Sequence, residues 1–454
     1  MAIALSGAYP DSAPDPVGDQ WVPDSGQTPE PVPGRDLSLM APLAPAAPAG
    51  ARDPAPAKEI AASERLASAT GEARAYPDEK DFDAGLVRES FAHIAASRGP
   101  AMEYFFAQLF VRNPEMRAMF PLAMRQHMET LFTALERIVW SIDNPGQLTP
   151  FLEQLGRDHR KFGVRDRHYE SVVGAFLETF RHFCGHYWTQ GIQEAWMAAF
   201  GHACAVMMAA ARDDAQAQPP WWIGEIVKHD LRRPDLAVIT IRPDQPLSYV
   251  PGQYLAVQVP RWPRLWRNFS IANAPRRSGH IDLHVRALPG GMVSGSLVHH
   301  SAPGDTVVLG PARGGMTMQT GPGRDVLCIA GGTGLAPIKA IIEGVIGASA
   351  ASGPPRKIGL LFGARTEQDL YDLAALRQLE SACPALTVTP VVSDQPHFPG
   401  VKGTLPEAAA RYASCAGKDI FVSGPAAMVR ATVSALAERA GTEQIRYDPP
   451  ESAT

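Results

Sequence analysis

The run QAQPP at residues 216–220 separates two textures that one layer of structure cannot hold. Before it, from Phe82 to about Ala211, proline and glycine are sparse and apolar residues return every three or four positions, as in LFTALERIVWSI and YESVVGAFLETFRHF. That period keeps apolar side chains on one face of a helix, so the segment reads as all-helical. Proline then removes an amide donor and clashes with the preceding turn, which ends the last helix. From Trp221 the chain proceeds in short β-rich runs, DLAVITIRP, GQYLAVQVP, IDLHVRALP and TVVLG, and these predict a small antiparallel barrel. From Asp325 strand and helix alternate: DVLCIA then APIKAIIEGVIGA, KIGLLFGA then a helix from Leu370, LTVTPVVS, and DIFVSG then AAMVRATVSALAERA. This order predicts a parallel sheet with helices on its faces.

Ahead of all three lies a stretch, 1 to about 78, that holds 13 of the chain's 42 prolines and no helical or strand period. It cannot bury enough apolar surface to offset its ordering entropy, and a disordered tail is expected there. The net charge of -5 is small for 454 residues, with no block of like charge to track a phosphate backbone or an anionic bilayer. Nucleic acid and membrane are therefore not expected partners. Cys184, Cys204, Cys328, Cys383 and Cys415 are odd in number and form no C-x-x-C pair, which suits neither a disulfide framework nor a zinc site. With no basic, apolar leader and no uncharged apolar run of about 18 residues seen in the sequence, a cytoplasmic protein is expected.

Chemistry is concentrated at the strand ends. IAGGTGLAPIKAII sets Gly331, Gly332, Thr333 and Gly334 between a buried strand and a helix that opens near Pro337. Without side chains the glycines let backbone approach a pyrophosphate, whose charge then meets the helix N-terminus. FGART ends the next strand, so Arg365 stands at the carboxyl edge where ligands of open sheets bind, or is a solvated loop cation. SGPAAM, with Ser423, Gly424, Pro425 and Met428, opens the chain at the same edge.

In the barrel, Arg267-Asn268-Phe269-Ser270 follows the strand that begins at Tyr254. Alternation sets Arg267 and Phe269 on one face and Ser270 on the other or at a kink. An arginine can bridge a flavin pyrophosphate, an aromatic can flank the isoalloxazine, and a hydroxyl can hydrogen-bond its hydride-accepting nitrogen. PGGMVSGSL adds Gly290, Gly291, Val293 and Ser294 at a second helix start suited to an anion.

Residues 221–448 resemble the ferredoxin-NADP reductase superfamily. Its R-x-[YF]-S matches 267–270, its G-G-x-x-S matches Gly290 to Ser294, its G-G-T-G-x-x-P matches Gly331 to Pro337, and its [CS]-G-P-x-x-M matches Ser423 to Met428. The resemblance implies FAD and NADH or NADPH as cofactors. Ser423 stands where the family usually has cysteine, and Pro450 stands where many members have a flavin-covering aromatic, with Tyr447 the nearest candidate cover.

YFFAQLFVRNPEMRAMF and LGRDHRKFGVRDRHYESVVG make the helical segment similar to the globin domain of flavohaemoglobins, and the domain order is theirs as well. With the tail that composition sets over 1–78, the resemblance implies an all-α globin over 79–215, an FAD-binding antiparallel β-barrel over 219–319 and an NAD(P)-binding α/β domain with a parallel sheet over 320–454. It makes His159, in its H-x-x-x-G-[VI] context, the ligand of a haem b iron, ahead of His93, His168, His182, His186 and His202. Phe120 matches the aromatic that packs on the haem. His127, Leu131 and Ala134 fall on one helical face; Leu131 would line the distal pocket and His127, or neighbouring Gln126, would reach bound ligand. Phe106 replaces the family's distal tyrosine, with Tyr104 two residues earlier pointing elsewhere. Tyr169 matches the proximal tyrosine, but its partner glutamate aligns with Ala211, and Asp213 or Asp214 would substitute only through a shift of the last helix.

The implied activity runs from NAD(P)H through FAD to the globin haem, then converts nitric oxide and O2 to nitrate. An NAD(P)H-dependent flavin or haem reductase with another acceptor, and a haem-based gas or redox sensor, stand as alternatives. The sequence leaves open NADH against NADPH and the oligomeric state.

Overall fold

In the computed structural model, which describes residues 83–318, 324–352, 356–437, 439–441 and 444–448, the helical texture becomes six α-helices. The expected tail and Pro450 lie outside the described residues, as does the side chain of Gln126. Asp83 opens α1 (Ala84–Ala95) by accepting the Leu86 amide at 3.0 Å, which satisfies one orphan donor of the first turn. α2 (Arg98–Arg112) ends before Pro114, which starts a 3-10 turn over Pro114–Met119. α3 (Arg125–Trp140) follows, then α4 (Pro145–His159) with proline at its first position, where a missing amide hydrogen costs nothing. After His159 a single 3-10 turn, Arg160–Phe162, reverses the chain into α5 (Asp166–Cys184).

The last helix of this region, α6 (Gln190–Ala217), runs 28 residues and ends where QAQPP begins to break it. It is long and apolar enough by composition to cross a membrane, contrary to the expectation that no such stretch occurs. Its apolar residues are instead used internally: Trp196 and Phe200 join one hydrophobic cluster, and Ala203, Cys204, Met207 and Met208 join a second. A Cβ on Gly156 would lie 2.1 Å from the Met207 carbonyl oxygen, so α4 and α6 cross at a distance only glycine permits.

The barrel consists of β1 (Trp222–Arg233), β2 (Leu236–Pro243), β3 (Tyr254–Gln258), β4 (Arg267–Ser270), β5 (Ile281–Arg286) and β6 (Thr306–Arg313), in the order β4-β3-β6-β1-β2-β5. Neighbours are antiparallel, and a bridge between Ile271 and Leu283 joins the two edges. Tyr254 stands opposite Ser270 on one side and Arg313 on the other, so these three share a row across the sheet. α7 (Met292–His299) follows the Gly290-Gly291 turn.

Beyond it, β7 (Asp325–Gly331), α8 (Leu335–Ser352), β8 (Ile358–Ala364), α9 (Leu373–Ala382), β9 (Leu386–Val392), β10 (Val401–Lys402), α10 (Leu405–Tyr412), β11 (Lys418–Ser423), α11 (Ala426–Ala437) and β12 (Ile445–Arg446) build a parallel sheet ordered β10-β9-β8-β7-β11-β12. The helix expected from Leu370 starts at Leu373. Asp369 accepts from the Thr366 amide and hydroxyl at 3.1 and 2.7 Å, closing a separate 3-10 turn, and Leu370 is buried in the core.

Candidate functional site

From β7 the chain builds outward through β8 and β9 to β10 and then returns to lay β11 on the other side of β7, and ligands of open α/β sheets bind outside the carboxyl ends of strands where the order reverses in this way. A cleft of about 1140 Å³ lies there, between those strand ends and the barrel. From the barrel it is lined by Arg267, Asn268, Phe269 and Ser270 of β4 and by Gly290, Gly291, Val293 and Ser294. From the sheet it is lined by Gly331, Gly332, Thr333, Gly334, Arg365, Ser423, Gly424, Pro425 and Met428. A Cβ on Gly334 would meet the Ser423 carbonyl oxygen at 2.4 Å and the Gly424 nitrogen at 2.5 Å. Glycine there lets the ends of β7 and β11 close up into one backbone wall, with the α8 N-terminus at its rim. Two expected cofactor residues stand outside this lining: Tyr254 is one strand removed, and Pro337 is buried in the first turn of α8. Tyr447, the candidate flavin cover, is exposed and also lies outside it.

Sequence reasoning missed His284, which lines the same cleft from β5. Its Nδ1 is 2.7 Å from the Tyr371 hydroxyl, across the seam between barrel and sheet. Burial, and after it the nearby Lys339 ammonium of α8, push the pKa of this imidazole down to about 3 and hold it neutral. At the same seam the buried Asp372 pairs with Lys339 at 2.9 Å and with Arg232 of β1 at 3.7 Å. The signal was available: Ile281, Leu283 and Val285 face the barrel core, so alternation turns His284 outward.

In the helical region His159 ends α4, its Nδ1 2.6 Å from the Leu155 carbonyl oxygen. A carbonyl only accepts, so Nδ1 carries the hydrogen and the Nε2 lone pair is left for a metal. Burial keeps the ring neutral, since it lowers the proton affinity below the ordinary histidine range. The Tyr169 ring lies 6.4 Å away. In the larger helical cluster Phe106, 5% exposed, meets Phe120 edge-on at 5.5 Å, Phe120 meets His127 edge-on at 5.8 Å, and Leu131 packs against the same cluster. Burial and then the Arg267 charge lower the proton affinity of His127, which puts the start of α3 within electrostatic reach of β4. Tyr104 stacks on His182 at 4.4 Å, away from this group.

The substitute relay through Asp213 or Asp214 is not formed. Arg160, the residue after His159, takes the Asp214 carboxylate as an ion pair and donates to the Gln218 carbonyl at 2.8 Å, while Asp213 is exposed. Tyr169 instead has the buried Cys204 thiol for a neighbour; burial pushes that thiol up to about 12, and burial with Cys204 raises the phenol.

Where the helical region meets the barrel, Phe162 contacts Trp266 edge-on at 6.4 Å, and the Lys161 ammonium sits over both rings at 5.2 and 5.9 Å. Asp158 accepts from Arg313 Nε at 3.3 Å. Trp266 directly precedes Arg267, so the end of the histidine-bearing helix is seated beside the start of β4. A neutral imidazole whose Nδ1 is held by a carbonyl, and a glycine-walled cleft with Arg267 on one side and Arg365 on the other, fit a haem, a flavin dinucleotide and a nicotinamide dinucleotide.

Comparison with known proteins gives the same three parts. Residues 103–207 match the globin family, 224–317 the oxidoreductase FAD-binding domain and 328–434 the oxidoreductase NAD-binding domain. The flavohemoprotein of Bordetella parapertussis is 29% identical over 273 residues, 56% of this chain and 68% of the relative. The reductase component of the naphthalene 1,2-dioxygenase/salicylate 5-hydroxylase systems of a Ralstonia species is 35% identical over 206 residues, 45% of this chain and 59% of the relative. The crystal structure of the flavohemoglobin from Malassezia yamatoensis, with bound FAD and heme, superposes with a TM-score of 0.66 at 17% identity, covering 81% of this chain and 98% of that one, and so shares the fold.

Proposed function

We propose, from the premise that the chain belongs with the flavohaemoglobins, a globin joined to FAD- and NAD-binding oxidoreductase domains, that it converts nitric oxide and O2 to nitrate at the expense of NAD(P)H. The coarser activity, NAD(P)H-dependent electron transfer through FAD to haem, follows from those parts. FAD supplies conversion of a hydride into single electrons, and haem supplies the iron chemistry on O2.

The observation that carries the reading is the seam: Trp266, next to Arg267, touches Phe162, three residues beyond His159. A flavin strand pressed against the haem-ligand helix is what single-electron delivery between them requires. The proposed division of the chain is globin over 79–215, FAD-binding domain over 219–319 and NAD(P)-binding domain over 320–454. His159 would hold a haem iron, Phe120 would pack against the macrocycle, and Phe106, Leu131 and His127 would line the ligand side. A neutral His127 keeps one N–H to donate, in place of the hydroxyl that Phe106 lacks. Tyr169 orients the proximal side. Tyr254, Arg267, Asn268, Phe269, Ser270, Gly290, Gly291, Val293 and Ser294 serve the flavin; Gly331 to Gly334, Pro337, Arg365, Ser423 to Pro425 and Met428 serve the nicotinamide dinucleotide. A cytoplasmic location belongs to the same proposal.

A second reading, a reductase with another acceptor, is favoured by Phe106 itself, because a bound O2 there has no phenol to accept from. The test is anaerobic addition of NADH or NADPH to haem- and FAD-loaded protein, followed by O2 and nitric oxide. A ferric-to-ferrous Soret shift and stoichiometric nitrate are expected. Flavin bleaching with an unchanged Soret band would leave the second reading. His159→Ala is expected to lose the Soret band and keep flavin reduction.

A further inference from the structure

Arg313 ends β6 in the row that carries Ser270 and Tyr254, yet it is not among the residues lining the flavin cleft. It reaches the other way. Its Nε donates to Asp158, which immediately precedes His159, while its Nη2 is buried with no hydrogen-bond partner among the described residues. The side chain is 17% exposed. A buried guanidinium nitrogen left unpaired, which Arg88, Arg233 and Arg446 also carry, is costly and calls for an acceptor, a water or an anion, to complete it.

The place identifies the anion. A haem held by His159 brings two carboxylates on one edge of its ring, and Asp158 beside the ligand would repel them unless a cation intervened. Arginine suits both tasks, since its planar fork can hold one carboxylate at Nε and another at Nη2. The pyrophosphate of a flavin bound in the cleft would meet Arg267 and the α7 N-terminus, on the side that Arg313 does not line.

We propose that Arg313 is a haem-carboxylate anchor: tied to Asp158, it binds a haem propionate through Nη2 and places a positive charge beside the iron, on the flavin-facing side. This rests on the reading that His159 holds haem. The charge favours the reduced iron, so it raises the potential at which the electron from the flavin is accepted. It also explains how an acidic residue is tolerated next to the haem ligand.

The test uses the full-length, haem- and FAD-loaded protein and two readouts other than turnover: haem loss to excess apomyoglobin and the haem midpoint potential by spectroelectrochemistry. Arg313→Gln is expected to lose haem roughly tenfold faster, the equivalent of one charge-assisted hydrogen bond, to lower the potential, and to keep its FAD. Arg313→Lys retains the charge and is expected to hold the potential near that of the unaltered protein. Asp158→Asn removes the opposing charge and is expected to raise it. If Arg313→Gln and Asp158→Asn shift the potential in the same direction, the pair is only a docking joint and the proposal fails. If Arg313→Gln releases FAD and not haem, Nη2 serves a flavin phosphate, and the proposal fails in that case too. A His159→Ala protein that keeps its Soret band would instead overturn the underlying haem reading.

Discussion

The dinucleotide cleft and the haem pocket of this chain are made of different material. The cleft is walled by backbone at strand ends, with Gly331 to Gly334 and Ser423 to Pro425 pressed together. The proposed haem pocket draws instead on side chains: Phe106, Phe120, His127 and Leu131 around one hydrophobic cluster, and His159 beside Tyr169 of another. A backbone site is specified by short contiguous motifs and tolerates little change in them. A side-chain site is specified by residues far apart in the chain, and one of them can be exchanged while the architecture stands, as is proposed for Phe106.

That contrast can be broken most forcefully at Gly334. A side chain there would collide with the Ser423 and Gly424 backbone at 2.4 to 2.5 Å and push the sheet edges apart. Gly334→Val is expected to slow reduction of bound flavin by NAD(P)H on the order of a hundredfold, the usual consequence of misplacing reactants by about 1 Å. Stopped-flow bleaching that stays within about twofold of the unaltered protein would show that the cleft does not depend on that wall.

The haem pocket should respond more gently. Phe106 lies in van der Waals company with Phe120, and a tyrosine there changes little besides adding a hydroxyl. Phe106→Tyr is expected to slow release of bound oxygen about fivefold to tenfold, the value of one added hydrogen bond, with the fold intact. Unchanged oxygen release, measured by ligand-displacement kinetics, would place the hydroxyl out of reach and leave His127 as the distal donor.

A pH effect, small near neutrality, concerns the seam between the two reductase parts. The pKa of His284 is pushed down to about 3 by burial and Lys339, whereas an unfolded imidazole titrates near 6.5. Its folded proton affinity is depressed, so between those values the unfolded chain binds the extra proton; the contribution is complete above about pH 6.5 and falls as pH drops toward 3. Urea midpoints measured across that window should decline with acid, and less steeply in His284→Gln. Equal slopes would mean that the seam opens before the histidine is protonated.

Much of this was legible in residue order. The helical period, the break at QAQPP and the strand-then-helix rhythm announced three architectures, and the glycine-rich turns stand where they were expected. Two things were not legible. The start of α9 moved from Leu370 to Leu373 because Thr366 and Asp369 hydrogen-bond to each other and close a turn of their own. The sequence made any substitute for the proximal relay depend on a shift of the last helix; what it did not show is that Arg160, only one residue past His159, claims Asp214 from the far end of α6.

By itself, then, the sequence determined the class of each part and the cofactor motifs, because periodicity, proline and glycine act on the local backbone. Only tertiary structure decided which side chains meet across the seams: His284 with Tyr371, Phe162 with Trp266, Arg313 with Asp158. Each pair joins residues 87, 104 or 155 positions apart, and no local preference encodes a contact at that separation; it arises when whole elements dock and their buried polar groups must find partners.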